Sequence, residues 1–252
     1  MNNSEEYDDP ELYDKEYESY LPELPLLIKW ASKNPGIIID LACGTGRVTI
    51  PLAKEGFQVM GIDVHKGMLE AAQKKSSSAG IEIEWLAEDC TDLNIGIKVS
   101  LIYTVGNSFQ HFLTNEAQDG LLRSVNRHLE DEGMLIFSTR FPGAEELLQP
   151  PEEEYWRSYQ DGEFTVDVST ISHYDELEQV QHYTTIRKYK DRHDEIVNEK
   201  RTNISLRYVY PKEMERLLDL HGFEILNVYE DWKETPVKNE SYEMVYVCRK
   251  IR

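Results

Sequence analysis

Ile37-Ile38-Ile39-Asp40-Leu41-Ala42-Cys43-Gly44-Thr45-Gly46-Arg47 constrains the fold more than any other stretch of this chain. A run of β-branched apolar residues stops at an acid, two glycines follow, and a helical pattern begins. A continuous apolar run is what a strand buried on both faces requires. Strand, tight glycine turn and helix together present backbone N–H groups to a ligand at the carboxyl edge of an α/β sheet. A second apolar run, Val59-Met60-Gly61-Ile62-Asp63-Val64, again ends on an acid.

The same rhythm runs through the first half of the chain. Residues 81–87 alternate as a third strand with Glu88-Asp89 at its end, 99–105 form a fourth, and 134–138 a fifth. Between them lie helical patterns. One follows the glycine turn with Val48, Ile50 and Leu52 inward and Gly56 at its C-terminus. The next spans 66–78 with Met68, Leu69 and Ala72 inward. A third is capped by Thr114 and buries Leu121, Leu122, Val125 and Leu129. Alternating strands and helices imply a parallel sheet covered on both faces. Ahead of this core, a few residues that should fray lead to Asp9-Pro10, which reads as an N-cap with proline in the first turn. A second helix should run over 22–33 until Asn34-Pro35-Gly36 ends it. Tyr13, Tyr17 and Tyr20 fall at i, i+4 and i+7 of the first helix. One face of phenols then either packs on the domain or covers a ligand.

The rhythm breaks at Phe141-Pro142-Gly143, and Pro150-Pro151-Glu152-Glu153-Glu154 reads as a linker. Three stretches with period-two alternation follow, around 164–170, 180–186 and 196–208, which predicts a small inserted antiparallel sheet. The α/β pattern then resumes with a helix beginning at Pro211 and ending at Gly222. Two strands, 223–229 and 241–248, come next with no helix between them, so they must pair as an antiparallel hairpin. The expected division is an α/β domain over 1–145 and 210–252 and an insertion over 146–209.

Composition narrows the partners. A net charge of −20 over 252 residues disfavours a broad nucleic-acid footprint, which needs a basic face. Cys43, Cys90 and Cys248 are widely spaced and form no CxxC pair, so neither a disulfide framework nor a metal site is indicated, and a reducing cytoplasm fits. The polar, acidic start is not a signal peptide, and no apolar run reaches the ~20 residues that span a bilayer.

Asp40-Leu41-Ala42-Cys43-Gly44-Thr45-Gly46, Gly61-Ile62-Asp63, Ala87-Glu88-Asp89-Cys90 and Gly133-Met134-Leu135-Ile136, in this order and spacing, resemble the class I S-adenosylmethionine-dependent methyltransferases. The closest likeness is to the bacterial small-molecule type that carries an antiparallel insertion after strand five, and it covers residues 10–250. The resemblance implies a seven-stranded Rossmann-like sheet whose last strand is antiparallel, with N-terminal helices as a lid and S-adenosyl-L-methionine as cofactor. It implies a cofactor set of Asp40, Ala42, Cys43, Gly44, Gly46, Asp63, Val64, Met68, Glu88, Asp89, Cys90 and Val105. The glycines permit close backbone approach. Asp63, 17 positions after Gly46, can take ribose hydroxyls. Asp89 and Cys90 meet the adenine edge, and Val64 and Met68 its faces. A nicotinamide enzyme fits worse, because Gly44-Thr45-Gly46-Arg47-Val48-Thr49 lacks the third glycine of that fingerprint.

Methyl transfer is an in-line displacement at an activated carbon, so the protein must chiefly position the nucleophile and exclude water. The loop after strand four, Thr104-Val105-Gly106-Asn107-Ser108-Phe109-Gln110-His111, should lie beside the transferable methyl. His111 is the candidate general base, with a structural histidine as the competing reading. Asn107 and Gln110 can orient a polar acceptor, and Tyr13 can face the sulfonium, which an aromatic ring attracts as it does an ammonium. Neither an Asn/Asp-Pro-Pro-Tyr arrangement nor a cysteine following a proline occurs in this loop, which removes two nucleic-acid chemistries. The expected acceptor is an amine or hydroxyl of a small molecule, with no membrane partner, and the chain is a monomer or homodimer. A cofactor sensor with the same pocket remains open. Arg140, Tyr155, Trp156, Tyr183 and Arg207 are the residues to inspect on and around the insertion.

Overall fold

The computed structural model describes residues 3–252. After a single 3-10 turn at Glu5–Tyr7 come α1 (Pro10–Tyr17), α2 (Leu24–Lys33), β1 (Ile38–Leu41), α3 (Thr49–Lys54), β2 (Val59–Asp63), α4 (Lys66–Ser78), β3 (Glu84–Ala87) and β4 (Val99–Thr104). They are followed by α5 (Asn115–His128), β5 (Leu129–Arg140), α6 (Ala144–Leu147), β6 (Glu154–Asp161), β7 (Phe164–Asp175), β8 (Val180–Lys190) and β9 (Ile196–Arg207). The chain closes with α7 (Pro211–Leu220), β10 (Phe223–Tyr229) and β11 (Glu243–Lys250). Seven strands form one sheet in the order β10-β11-β5-β4-β1-β2-β3, and β6 to β9 form a second sheet in sequence order. Strands β1 to β5 pair in parallel, and β11 runs antiparallel to both β5 and β10, as the missing crossover helix requires.

Two apolar layers cover the large sheet. On one face Ile39, Ile62, Ile102, Phe137 and Tyr246 meet Leu121, Leu122 and Val125 of α5 and Met214 and Leu218 of α7. On the other, Ile38, Leu101, Ile136 and Val247 meet Leu26, Leu27 and Ala31 of α2 and Leu52 of α3. Helix ends follow the predicted chemistry. Asp9 accepts from the Leu12 N–H at 3.0 Å with Pro10 in the first turn, and the Thr114 hydroxyl accepts from Ala117 at 3.1 Å. Among the described residues no helix is long and apolar enough to cross a membrane.

Five features differ from the sequence pattern. Strand β3 covers only Glu84–Ala87, and β5 begins at Leu129, because Glu132 in the left-handed region (φ +63°) allows a register shift that extends pairing back to the end of α5. The second sheet has four strands, not three: β6 is its edge strand, largely exposed, so it lacks a strong buried alternation. Helix α1 stops at Tyr17, which leaves Tyr20 in a turn and 65 % exposed, off the row it was expected to complete. The start of the chain was expected to fray. Residues 1 and 2 lie outside the described residues, but Asn3 grips the edge of β9. Its Oδ1 accepts from the Ser205 N–H at 2.6 Å and its Nδ2 donates to the Ser205 carbonyl at 2.9 Å.

Candidate active site

The turn after β1 places three residues in the left-handed region within five positions: Ala42 (φ +56°), Gly44 (φ +56°) and Gly46 (φ +74°). The Cys43 N–H donates to the Ile62 carbonyl at 3.1 Å and binds the turn to β2. Asp63 then joins the two strand ends. Its Oδ2 accepts from the Gly44 N–H at 2.8 Å and its Oδ1 from the His65 N–H at 2.7 Å. Burial raises its pKa, and these two donors oppose that rise. A carboxylate has about four lone-pair sites, so Asp63 keeps acceptor capacity beyond these bonds.

Trp85 is a residue sequence reasoning missed. A Cβ on Gly61 would lie 2.3 Å from its ring and one on Gly46 2.7 Å from it, so the indole lies across both glycines. Its Nε1–H donates to Ser76 at 3.3 Å. A tryptophan in a four-residue edge strand was the available signal.

Asp40 is buried beneath the turn. Its Oδ2 accepts from Thr49 at 2.6 Å and from the Tyr103 hydroxyl at 2.8 Å, while its Oδ1 is buried without a partner. Desolvation pushes its carboxyl up to about 7. Cys43, Cys90, Met68 and Val105 are buried around the same edge, and Val64 is 73 % exposed. The Glu88 N–H donates to the Asp63 carbonyl at 3.2 Å, and Asp89 accepts from the Thr91 N–H at 2.8 Å. Every residue of the expected cofactor set thus lies at or next to the carboxyl ends of β1 to β4.

The N-terminal segment lies over this edge. Asp14 of α1 accepts from Thr45 of the glycine turn at 2.5 Å and from Lys75 of α4 at 2.8 and 2.9 Å. Arg47 grips Glu23 with both terminal nitrogens, at 2.6 and 3.1 Å, and donates to the Tyr20 carbonyl. Tyr17, Tyr13, Tyr7 and His111 follow one another as an aromatic row with centroid spacings of 5.1, 6.1 and 5.5 Å. Tyr7 and Asn3 replace the expected Tyr20 in this cover.

Residues 38–133 match the family described as "Methyltransferase domain". The chain is 29 % identical over 238 residues to the putative methyltransferase YqeM of Bacillus subtilis, spanning 89 % of each protein. A putative methyltransferase of a Geobacillus species is 30 % identical over 100 residues, 40 % of each chain, so that likeness is confined to less than half of either protein. Among solved structures, an S-adenosylmethionine-dependent methyltransferase from Clostridium acetobutylicum superposes with a TM-score of 0.79 at 20 % identity, covering 96 % of this chain and 97 % of that one. The sugar N-methyltransferase KedS8 from a Streptoalloteichus species gives 0.76 at 16 % identity, covering 97 % and 94 %. Residues 38–133 thus match a methyltransferase domain, and the whole chain has the fold of S-adenosylmethionine-dependent methyltransferases. Its cradle fits that cofactor on its own evidence: a buried carboxylate oxygen without a partner at the end of β1, an acid with free lone pairs at the end of β2, and a left-handed glycine turn between them.

Around the loop after β4, the Asn3 amide orientation is assigned by its two bonds to Ser205, so its Nδ2 donates to His111 Nδ1 at 3.4 Å. The ring proton of His111 is therefore on Nε2 and donates to the Tyr7 oxygen at 3.0 Å. Burial alone lowers the His111 pKa to about 4, so the imidazole is neutral. Asn107 is held in the left-handed region (φ +60°), and its Oδ1 accepts from Ser138 at 3.3 Å. Gln110 is buried. Its Oε1 accepts from the Arg140 N–H at 3.1 Å, and its Nε2 has no partner.

Of the residues flagged around the insertion, Arg140 and Tyr183 come together. The guanidinium donates to Glu146 at 2.6 Å and to the Tyr183 hydroxyl at 3.0 Å, and Tyr208 lies 3.1 Å from that hydroxyl. Arg207 instead braces the loop before α5 through the Leu113 carbonyl and Asn115. Tyr155 and Trp156 are exposed on β6.

Proposed function

We propose that this methyltransferase transfers a methyl group to the amine of a small molecule, in a reducing cytoplasm. When bound, S-adenosylmethionine supplies a methyl group made electrophilic by its sulfonium. Asp40, the Ala42–Gly46 turn, Asp63, Val64, Met68 and Glu88 to Cys90 would hold it, and Val105 would border its methyl end. Tyr13, in the aromatic row, offers a π face to a cation and excludes water. The inserted sheet and Asn107 would shape the acceptor pocket.

One observation favours an amine over a hydroxyl: the neutral His111, with both nitrogens engaged and its pKa lowered to about 4. A hydroxyl needs a base to become nucleophilic, and a group this weakly basic contributes little as one. A free amine already carries its lone pair and needs only orientation. His111 then acts by holding Tyr7, and serves as a base only if the acceptor displaces Asn3 or Tyr7. The sugar N-methyltransferases among the structural neighbours support an amine. The net charge of −20 opposes a nucleic-acid acceptor.

The test is a metabolite screen with isotopically labelled methyl donor, read by mass spectrometry and grouped by acceptor type. Label on primary or secondary amines is the expected result. Label on hydroxyls alone overturns the amine reading, and cofactor binding with no transfer to any metabolite would make the chain a sensor.

A further inference from the structure

Arg187 of β8 is 2 % exposed, the largest fully buried side chain in the protein. Its Nε and Nη2 donate to the two oxygens of Glu16 at 2.7 and 2.9 Å, and Nη2 also donates to Glu6 at 2.9 Å. Its Nη1 donates to Thr202 at 2.8 Å, whose hydroxyl donates to Glu6 at 2.7 Å. Tyr159 of β6 donates to Glu16 at 3.1 Å. Both acids that compensate this buried cation come from the N-terminal segment, and neither belongs to the second sheet. Glu6 precedes Tyr7 and Glu16 precedes Tyr17, two members of the aromatic row.

The same segment meets the α/β sheet differently. Over residues 5–17 its charged ties there are Asp14 with Lys75 and a 3.3 Å pair between Asp8 and His65, at partly exposed side chains, beside the bond from buried Thr45 to Asp14; the buried Glu23–Arg47 pair lies further along the chain. Solvated pairs exchange readily for water, whereas parting a buried ion cluster leaves uncompensated charge. Over residues 5–17 the fully buried ion cluster therefore lies on the side of the inserted sheet.

We propose that Arg187 is a positioning residue: through Glu6 and Glu16 it fixes Tyr7, Tyr13 and Tyr17 over the cofactor turn, so that the N-terminal segment and the inserted sheet cover the site as one body. The claim that this body covers a methyl-transfer site rests on the proposed function. The tie itself does not, and it is measured on cofactor-free protein.

The experiment compares wild type, Arg187→Met and Glu6→Gln as full chains, by hydrogen exchange and by NMR titration of the His111 imidazole, whose ring faces Tyr7 and Asn3. In Arg187→Met, amides of residues 5–17 should exchange about tenfold faster or more while β1 to β5 keep their protection. The His111 midpoint should rise from about 4 toward the ordinary histidine range as its cover lifts, a change that loss of packing inside the second sheet would not by itself produce. Glu6→Gln should give the same changes in weaker form, and it decides the matter if Arg187→Met unfolds the second sheet. Unchanged exchange over 5–17 with an unmoved His111 midpoint overturns the proposal. S-adenosylhomocysteine affinity, measured separately, tests what the cover lies over.

Discussion

Replacing Asp40 by asparagine should remove a pH dependence from the protein's stability, so that the variant gains on wild type as pH rises from mild acid to mild base. Burial raises the Asp40 carboxyl to about 7, from an ordinary value of 3.8. An acid raised on folding contributes its stability in full below its unfolded pKa and loses it as pH climbs through the folded one. Each unit is worth about 1.4 kcal/mol, so the native state loses about 4 kcal/mol across the whole window and about 3 kcal/mol between about pH 5 and pH 8. Asparagine does not titrate. Its carbonyl can take the place of Oδ2, which accepts from Thr49 and Tyr103, and its NH2 then lies where Oδ1 has no partner. An unsatisfied buried donor costs about 1–3 kcal/mol at any pH.

Urea denaturation of both proteins at about pH 5 and pH 8 gives the stability difference, from which the other carboxylates cancel. The difference should move by about 3 kcal/mol in favour of Asp40→Asn as pH rises. A difference that does not change with pH refutes the reasoning, since it would mean that Asp40 is ionised in the native state as in the unfolded one. Cofactor binding adds a linked check. If the Asp40 carboxylate receives the ligand's ammonium, wild-type affinity for S-adenosylhomocysteine rises with pH toward neutrality, and that of Asp40→Asn stays flat.

Asp63→Ala should weaken S-adenosylhomocysteine binding by about 1.5–3 kcal/mol, roughly ten- to 150-fold, by removing a charged hydroxyl acceptor; unchanged affinity in calorimetry would take Asp63 out of the site. Gly61→Ala places a Cβ 2.3 Å from Trp85 and should cost about 1–3 kcal/mol of stability, largely recovered in Gly61→Ala/Trp85→Leu. Equal melting temperatures for wild type and Gly61→Ala would contradict that contact. His111→Ala should slow turnover on an identified amine by about ten- to a hundredfold, short of a full general-base loss, with nearly unchanged cofactor affinity. Loss of cofactor binding instead would assign His111 to the fold.

What the chain declares locally, it declares well. Ile37 to Gly46 reads as strand and turn because each feature acts on its neighbours: β-branching, an acid at the strand end, glycine where φ is positive. The bounds of α4 are readable for the same reason. The closing hairpin followed from loop length alone. Ala42 shows the limit of such signals, since it holds a left-handed conformation with no glycine to announce it. Strand β6 was hidden because an edge strand with mostly exposed residues has little alternation to display. Trp85 was hidden because what it covers, Gly46 and Gly61, lies on other elements.

The strongest concealment was by composition. With 47 acids in the chain, each acid alone reads as solvated surface, and a charge of −20 reads as solubility. Yet acids near the N-terminus have specific basic partners far away in sequence, among them Glu6 and Glu16 on Arg187, Asp14 on Lys75 and Glu23 on Arg47. The sequence neighbours of these three bases explain nothing about them: Arg187 lies in an alternating strand, Lys75 at the end of a helix, Arg47 after a glycine turn. Only the topology that stacks the second sheet and the N-terminal segment over the carboxyl edge brings the pairs together. The acidic excess is thus two populations. One keeps the surface hydrated, and the other, concentrated before residue 24, ties the N-terminal segment to the carboxyl edge and to the second sheet.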